Sequence, residues 1–201
     1  MTKRLFDCLF SLLFLLIATP LLILIALSLK LSVRGPLFYG SVRYGQGKRL
    51  FTCWKFRTMY SGSDDRIENL LNSRPDLQEE WKKYRKLKKD PRVFPFGRFL
   101  RKYSLDELPQ LWNVFKGEMS LVGPRPYLLL EVEEQLKERA GKILSLKPGL
   151  TGIWQTSGRN LLTFEDRIRS DEAYVDNHSL LSDCAIIFKT ILFLINPKGA
   201  F

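Results

Sequence analysis

Residues 8–29 read CLFSLLFLLIATPLLILIALSL, a run without a single charge. As a helix it extends about 33 Å at 1.5 Å per residue, enough to cross the hydrocarbon of a bilayer. Its flanks complicate a simple crossing. Lys3 and Arg4 precede the run, while Lys30, Arg34, Arg43, Lys48 and Arg49 follow it. Positive flanks favour the cytoplasmic side, so both ends claim the same face. Thr19-Pro20 falls mid-run, where proline removes a backbone donor and clashes with the carbonyl four residues back, so a bend is expected there. Two readings stay open: a re-entrant helix-break-helix that enters and leaves one leaflet over residues 5–31, or a bent helix that spans. A cleaved signal peptide is disfavoured, because no small-residue cleavage site follows the run.

Outside this run the chain is ordinary in composition. With 201 residues, 45% hydrophobic and 26% charged, it makes one domain with a small appendage, and wholesale disorder or a polytopic transporter is excluded. The charge is less ordinary. Thirty-two Lys and Arg against 21 Asp and Glu leave +11, which points to a polyanionic partner: nucleic acid, anionic lipid or a phosphorylated substrate. Most of the excess sits in residues 1–60, where Asp7 is the one acid. Cys8, Cys53 and Cys184 have neither the pairing nor the spacing of a disulfide framework or a zinc site. The lone histidine, His178, makes a histidine-based triad untenable and reads as a surface or loop residue.

After the apolar run, glycines mixed with aromatic and β-branched residues predict a small hairpin or sheet before residue 60. Residues 64–90 read as a helix with Leu77, Trp81, Tyr84 and Leu87 at helical spacing. That stripe packs on a core or lies on an anionic membrane surface. CAIIFKTILFLI near the end is a second amphipathic candidate, interrupted by Lys189.

The densest stretch is 97–126, GRFLRKYSLDELPQLWNVFKGEMSLVGPRP. Ser104 and Glu107 have the spacing of a capping box, in which Ser104 caps a helix and Glu107 reaches back to its amide. The same segment carries adjacent carboxylates, Asp106 and Glu107. Such a pair, about 100° apart on a helix, can divide labour, one attacking while the other binds a cation. Arg125 sits between Pro124 and Pro126, a stiff setting for a guanidinium that meets phosphate, or an ordinary surface turn.

KFRTM, residues 97–126 and KPGLTGIWQTSGRN together resemble the bacterial sugar transferase family, the monotopic phosphoglycosyl transferases. The likeness runs from Lys3 to the end of the chain and is nearest to the catalytic part of the undecaprenyl-phosphate galactose or glucose phosphotransferases, without the upstream helices of the larger relatives. Two departures stand out: Thr19-Pro20 where the family commonly has Ser-Pro, and VFPFG before Arg98 where relatives are more polar.

The resemblance implies an α+β, mostly helical fold: a re-entrant membrane segment over 1–35, a small β-hairpin or sheet, interfacial helices, and a cytoplasmic catalytic domain over 36–201. It implies transfer of a sugar-1-phosphate from a UDP-sugar to polyprenyl phosphate at the inner face of the bacterial cytoplasmic membrane, with UMP released. By residue match Asp106 is the nucleophile and Glu107 the Mg²⁺ ligand. Lys55, Arg57, Arg101, Arg125 and Arg159 become phosphate or structural contacts, and Asp171 holds a basic partner. The expected partners are UDP-sugar, polyprenyl phosphate and an anionic lipid bilayer, with no nucleic acid; the oligomeric state is left open. A non-enzymatic membrane adaptor or a nucleic-acid binder would explain the charge but leave SLDELPQL, GPRP and SGRN as coincidental turns.

Overall fold

The structure, a computed structural model, describes residues 2–84, 87, 89–158 and 161–195, and of 63–66 and 68 the backbone only. It is mostly helical with two small sheets. Helix α1 (Thr2–Ser32) contains the whole apolar run and is long and apolar enough to cross a membrane. It continues through Pro20, so the expected break in helical structure is not present. Proline deletes a single intrahelical bond, and an apolar segment has no water to which it could trade the rest. Thr19 Oγ1 donates to the Leu15 carbonyl at 2.8 Å, whereas the carbonyl that Pro20 leaves without its usual donor is that of Leu16.

Both ends of α1 dock on the rest of the chain. Near its start, Lys3 pairs with Asp183 and donates to the Val122 carbonyl at 3.2 Å. Buried Asp7 accepts from Ser120 Oγ at 2.8 Å and from the Leu121 amide at 3.0 Å. Near its end, Ile25 and Leu29 pack with Phe56, Phe94 and Leu100 in one apolar cluster. Between them Leu13, Leu16, Ile17, Ile23 and Leu24 are exposed, more contiguous apolar surface than a soluble face tolerates.

Strands β1 (Phe38–Tyr44) and β2 (Leu50–Phe56) form the expected antiparallel hairpin, with Ser41 opposite Cys53 and Tyr39 opposite Lys55. The turn between them uses Gly47 at φ 63°, a left-handed position suited to glycine. Residues 64–90 are not one helix. Helices α2 (Ser63–Ser73) and α3 (Pro75–Tyr84) are separated at Arg74, because the residue before a proline is driven out of the α region; Arg74 is extended at φ −136°, ψ 90°. Leu87 is buried beyond the end of α3. The VFPFG departure is accounted for by packing: Val93 and Phe94 are buried, and Pro95 opens α4 (Pro95–Lys102) at a position where its missing amide costs nothing.

A 3₁₀ turn, Leu105–Glu107, leads into α5 (Gln110–Lys116), which ends at Gly117 with φ 87°. Arg4 donates to the Val114 and Phe115 carbonyls at 2.7 and 2.6 Å, placing a cation at the negative end of α5. Strand β3 (Ser120–Val122) follows, then the short helices α6 (Leu129–Glu131) and α7 (Ala140–Ile143). Strand β4 (Gly149–Thr151) pairs with β3 in parallel, Ser120 opposite Gly149 and Val122 opposite Thr151. The backbones pass so closely that a Cβ on Gly149 would lie 2.1 Å from the Gly123 amide nitrogen. Helices α8 (Ile153–Thr156), α9 (Phe164–Asn177) and α10 (Leu180–Ile195) complete the described chain. His178 is exposed at the end of α9, as expected.

Candidate active site

The β-hairpin lays down the floor of the site. Side chains alternate along a strand, so Tyr39, Ser41 and Arg43 of β1 share one face with Cys53 and Lys55 of β2, and all five line a cavity of about 890 Å³, within the range of ligand sites. Fully buried Asn113 of α5 locks that floor to the next element. Its side chain accepts from the Trp54 amide at 3.1 Å and donates to the Thr52 carbonyl at 2.8 Å. The 3₁₀ turn before α5 is thereby held over Lys55.

That turn presents the carboxylate pair. Asp106 is 7% exposed and Glu107 meets Lys55, Oε1 to Nζ, at 2.5 Å. The capping-box expectation fails here. Ser104 sits in a left-handed conformation (φ 56°) with no side-chain cap bond, and Glu107 extends away to an ammonium 52 residues earlier in the chain. A charge-assisted bond outweighs a neutral local cap. Burial alone would push the Lys55 ammonium down, yet Glu107 and then Asp106 outweigh it and hold the group above its ordinary value. Lys55 thus stays a cation beside both acids.

Arg101 of α4 lines the same cavity and donates from Nε to Thr58 Oγ1 at 2.8 Å. Burial lowers its pKa, with Asp106 acting in the opposite direction. Arg57 touches the cavity but its fork is spent elsewhere: it donates to the Arg34 carbonyl at 2.7 Å and to Ser61 Oγ at 3.1 Å. It therefore takes the structural half of its expected role, tying the end of α1 to β2.

Opposite the acids is a wall set by the parallel pairing of β3 and β4. The Gly149 amide donates to the Pro124 carbonyl at 2.7 Å, which clamps the Gly-Pro-Arg-Pro turn beside α8. The Arg125 guanidinium then lies 5.8 Å from the Trp154 ring centre and donates to Glu131 Oε1 at 3.0 Å. Burial disfavours its charge, but Glu131 prevails and its pKa is raised. Arg43, bonded to the Pro126 carbonyl at 3.1 Å, approaches the other Glu131 oxygen at 3.8 Å.

Asp171 of α9 lies behind this wall, where the basic residue it holds is Arg125, through that residue's backbone amide. Its Oδ2 accepts from the Arg125 backbone amide at 3.0 Å and from Tyr127 Oη at 2.7 Å. Full burial pushes its pKa up to about 7, against those bonds and the nearby Arg125 charge. Arg159 lies outside the described residues. Thr19 and Pro20 are exposed in the middle of α1 and take no part in the cavity.

Sequence reasoning missed Arg43, Glu131 and Trp154. Trp154 stands in the quoted KPGLTGIWQTSGRN, but nothing in its spacing announces that it faces Arg125. Arg43 could have been found from strand alternation once Lys55 was chosen. Among the described residues no cluster of three or more His, Cys, Asp or Glu could enclose a metal. Adjacent Asp106 and Glu107 do fit Mg²⁺, which is usually held by one or two carboxylates together with substrate phosphates.

A cavity with two acids on one side and arginines on the other suits transfer of a phosphate-linked group. The family model described as bacterial sugar transferase matches residues 1–197. The chain belongs to the bacterial sugar transferase family. It is 46% identical to the exopolysaccharide production protein ExoY of Rhizobium meliloti, over 100% of this chain and 88% of that protein. It is 45% identical to the undecaprenyl-phosphate galactose phosphotransferase of Salmonella typhimurium and 39% identical to the undecaprenyl-phosphate glucose phosphotransferase of Komagataeibacter xylinus. The match covers 99% of this chain in both cases but only 41% and 37% of those longer relatives.

Proposed function

We propose that this sugar transferase moves a sugar-1-phosphate, galactosyl or glucosyl, from its UDP ester to undecaprenyl phosphate and releases UMP, the first membrane step in building a glycan. The observation that carries the reading is buried Asp106 beside the Lys55–Glu107 pair, in one cavity with Arg101 and Arg125.

In the first step an Asp106 carboxylate oxygen attacks the phosphorus that bears the sugar. The bond from that phosphorus to the bridging oxygen breaks, and UMP leaves with the bond's electron pair. In the second step a phosphate oxygen of undecaprenyl phosphate attacks the same phosphorus, and the Asp106 carboxylate is returned. Lys55 holds Glu107 in place, while Arg101 and Arg125 carry positive charge along the path of the diphosphate. Mg²⁺, held by Glu107 with the substrate phosphates, would supply further charge neutralisation at the reacting oxygens. The test is UMP release in detergent with undecaprenyl phosphate across a panel of UDP-sugars, with and without Mg²⁺. Metal-dependent release with UDP-galactose or UDP-glucose is expected; no release with any donor would end the reading.

The acceptor is a lipid, so the site must sit at a membrane surface, here the cytoplasmic face of the inner membrane. We read α1 as a continuous helix that bends at Pro20 to enter and leave one leaflet, in support of which Lys3 and Asp7 at its start and Ile25 and Leu29 near its end all engage the same body. A helix that spans would carry one of those ends to the far side. A single cysteine at Thr2, in a variant lacking the native thiols, should resist impermeant maleimide in intact cells and react once the membrane is opened. Labelling from outside would mean a spanning helix.

A further inference from the structure

Every buried side-chain polar atom without a hydrogen-bond partner, among the described residues, lies in one patch: Arg125 Nε, Arg167 Nε, Trp154 Nε1, Gln155 Oε1 and Asp171 Oδ1. Unmet buried polar groups are costly, and native proteins keep few. Arg125, Trp154 and Gln155 line the cavity; Arg167 and Asp171, one helical turn apart on α9, stand behind it.

Arg167 is the least expected member. It is 1% exposed, its Nη2 donates to the Leu162 carbonyl at 3.0 Å, and its guanidinium carbon lies 5.4 Å from the Trp154 ring centre. No carboxylate forms an ion pair with it among the described residues. Asp171 has committed its bonded oxygen to Tyr127 and to the Arg125 amide. Burial brings the Arg167 pKa down to about 10, and the Arg125 charge adds to that push, with Glu131 and then Tyr127 acting the other way. A buried charge with no carboxylate bonded to it destabilises a fold, and a long apolar side chain of similar volume fills the same space at lower cost. Packing therefore gives no account of the guanidinium.

Its geometry does. Arg125 and Arg167 both lie within cation–π range of the one Trp154 ring, and each repels the other. The ring is held by a charge it attracts, and Arg125 is kept apart from Arg167 and within the fork it makes with Glu131. We propose that Arg167 is a positioning residue for the anion-binding wall of the cavity, fixing the Trp154 ring and through it the Arg125 guanidinium that meets the diphosphate of the substrate. The proposal rests on the transferase reading for its substrate, though the wall's affinity for a diphosphate can be measured without turnover.

The decisive variant is Arg167→Met, with Arg167→Lys as the charge-preserving control. Binding of magnesium pyrophosphate is followed by titration calorimetry on the full chain in detergent, alongside thermal unfolding and kcat and KM for the active UDP-sugar. Arg167→Met should melt at or above the wild-type temperature, yet bind pyrophosphate about tenfold more weakly and show a similarly raised KM, the effect of a mis-set charge-assisted bond. Arg167→Lys should recover part of the loss. In a Trp154→Leu background, adding Arg167→Met should change binding less than about twofold, because the element it acts through is gone. Binding and KM within twofold of wild type in Arg167→Met overturn the proposal. So does a variant that unfolds, or whose melting temperature falls with its affinity, since Arg167 is then scaffold. Wild-type protein that binds pyrophosphate but turns over no donor, with binding lost in Arg167→Met, keeps this inference and sinks the transferase reading. Neither binding nor turnover in wild type overturns both.

Discussion

The two sides of the cavity are built differently. On the acid side, Lys55 and Glu107 are paired but still 29% and 33% exposed, and they come from a strand and a single 3₁₀ turn. On the arginine side, Arg125 and Glu131 are 15% and 10% exposed, and Trp154, Arg167 and Asp171 behind them are buried. A half-exposed ion pair exchanges partners at little cost, because water screens what is lost. A buried one does not, because removing either member strands a charge. The Lys55–Glu107 pair is thus free to shift around buried Asp106, and the arginine side offers a fixed field in which the proposed chemistry would occur.

The largest expected effect breaks the acid side alone. Asp106→Asn keeps the shape of the turn and removes the proposed nucleophile, so turnover should fall by about a thousandfold or more while the melting temperature hardly moves. Intact-protein mass after exposure to UDP-sugar without acceptor reads it directly: wild type gains one phosphosugar, the variant none. An adduct on the variant, or one mapped to a different residue, would move the chemistry off this turn.

On the arginine side the loss should be smaller and accompanied by instability. Arg125→Ala should lower kcat/KM for the donor by roughly 10- to 100-fold, corresponding to about 1–3 kcal/mol for a charge-assisted bond. It should also lower the melting temperature, because among the described residues Glu131 then keeps only the looser ion pair with Arg43, at 3.8 Å. Affinity for anionic liposomes should not change. A variant that leaves the vesicles and keeps its chemistry would place this arginine at the membrane instead.

The smallest effect concerns Asp171 and is a slope, not a loss. Its folded pKa near 7 lies above the ordinary 3.8, so between those values the folded state holds a proton that the unfolded state has released. Stability must then fall as pH rises from about 4 to about 7, and level off above. Asp171→Asn keeps an acceptor for Tyr127 and the Arg125 amide but cannot titrate, so the difference between the two unfolding curves should show that slope in wild type only. Parallel curves would mean that Asp171 is ionised in the fold.

Much of the acid side was legible in the sequence. Lys55, Asp106 and Glu107 stand in compact motifs, and the hairpin that carries Lys55 follows from its glycines and alternation. The same compactness misled on Ser104, where a local capping pattern lost Glu107 to a lysine brought in by tertiary pairing. The Arg57 motif left a phosphate or a structural contact open, and α1, which ends against it, takes its fork and decides for the structural one. The arginine side was much less legible. It depends on three-residue strands, Ser120–Val122 and Gly149–Thr151, too short to show any period. Their pairing joins segments 29 positions apart, and no local signal carries that information. The break at Pro75, by contrast, is announced by the proline itself, against the helical stripe that runs across it.

The bond between Lys3 and Asp183 joins residues 180 positions apart. On a ribosome adding about 5–20 residues per second, roughly 9 to 36 s separate their synthesis. The apolar helix must therefore find the membrane long before its anchor exists, held there by its side chains alone. Closure of Lys3 on Asp183, with Tyr174 donating to the same carboxylate at 2.7 Å, becomes one of the last events of assembly. A chain cut short before α10 would keep the Arg4 and Asp7 contacts but lose the Lys3–Asp183 bond, so this joint tightens the start of α1 only after α10 has been made.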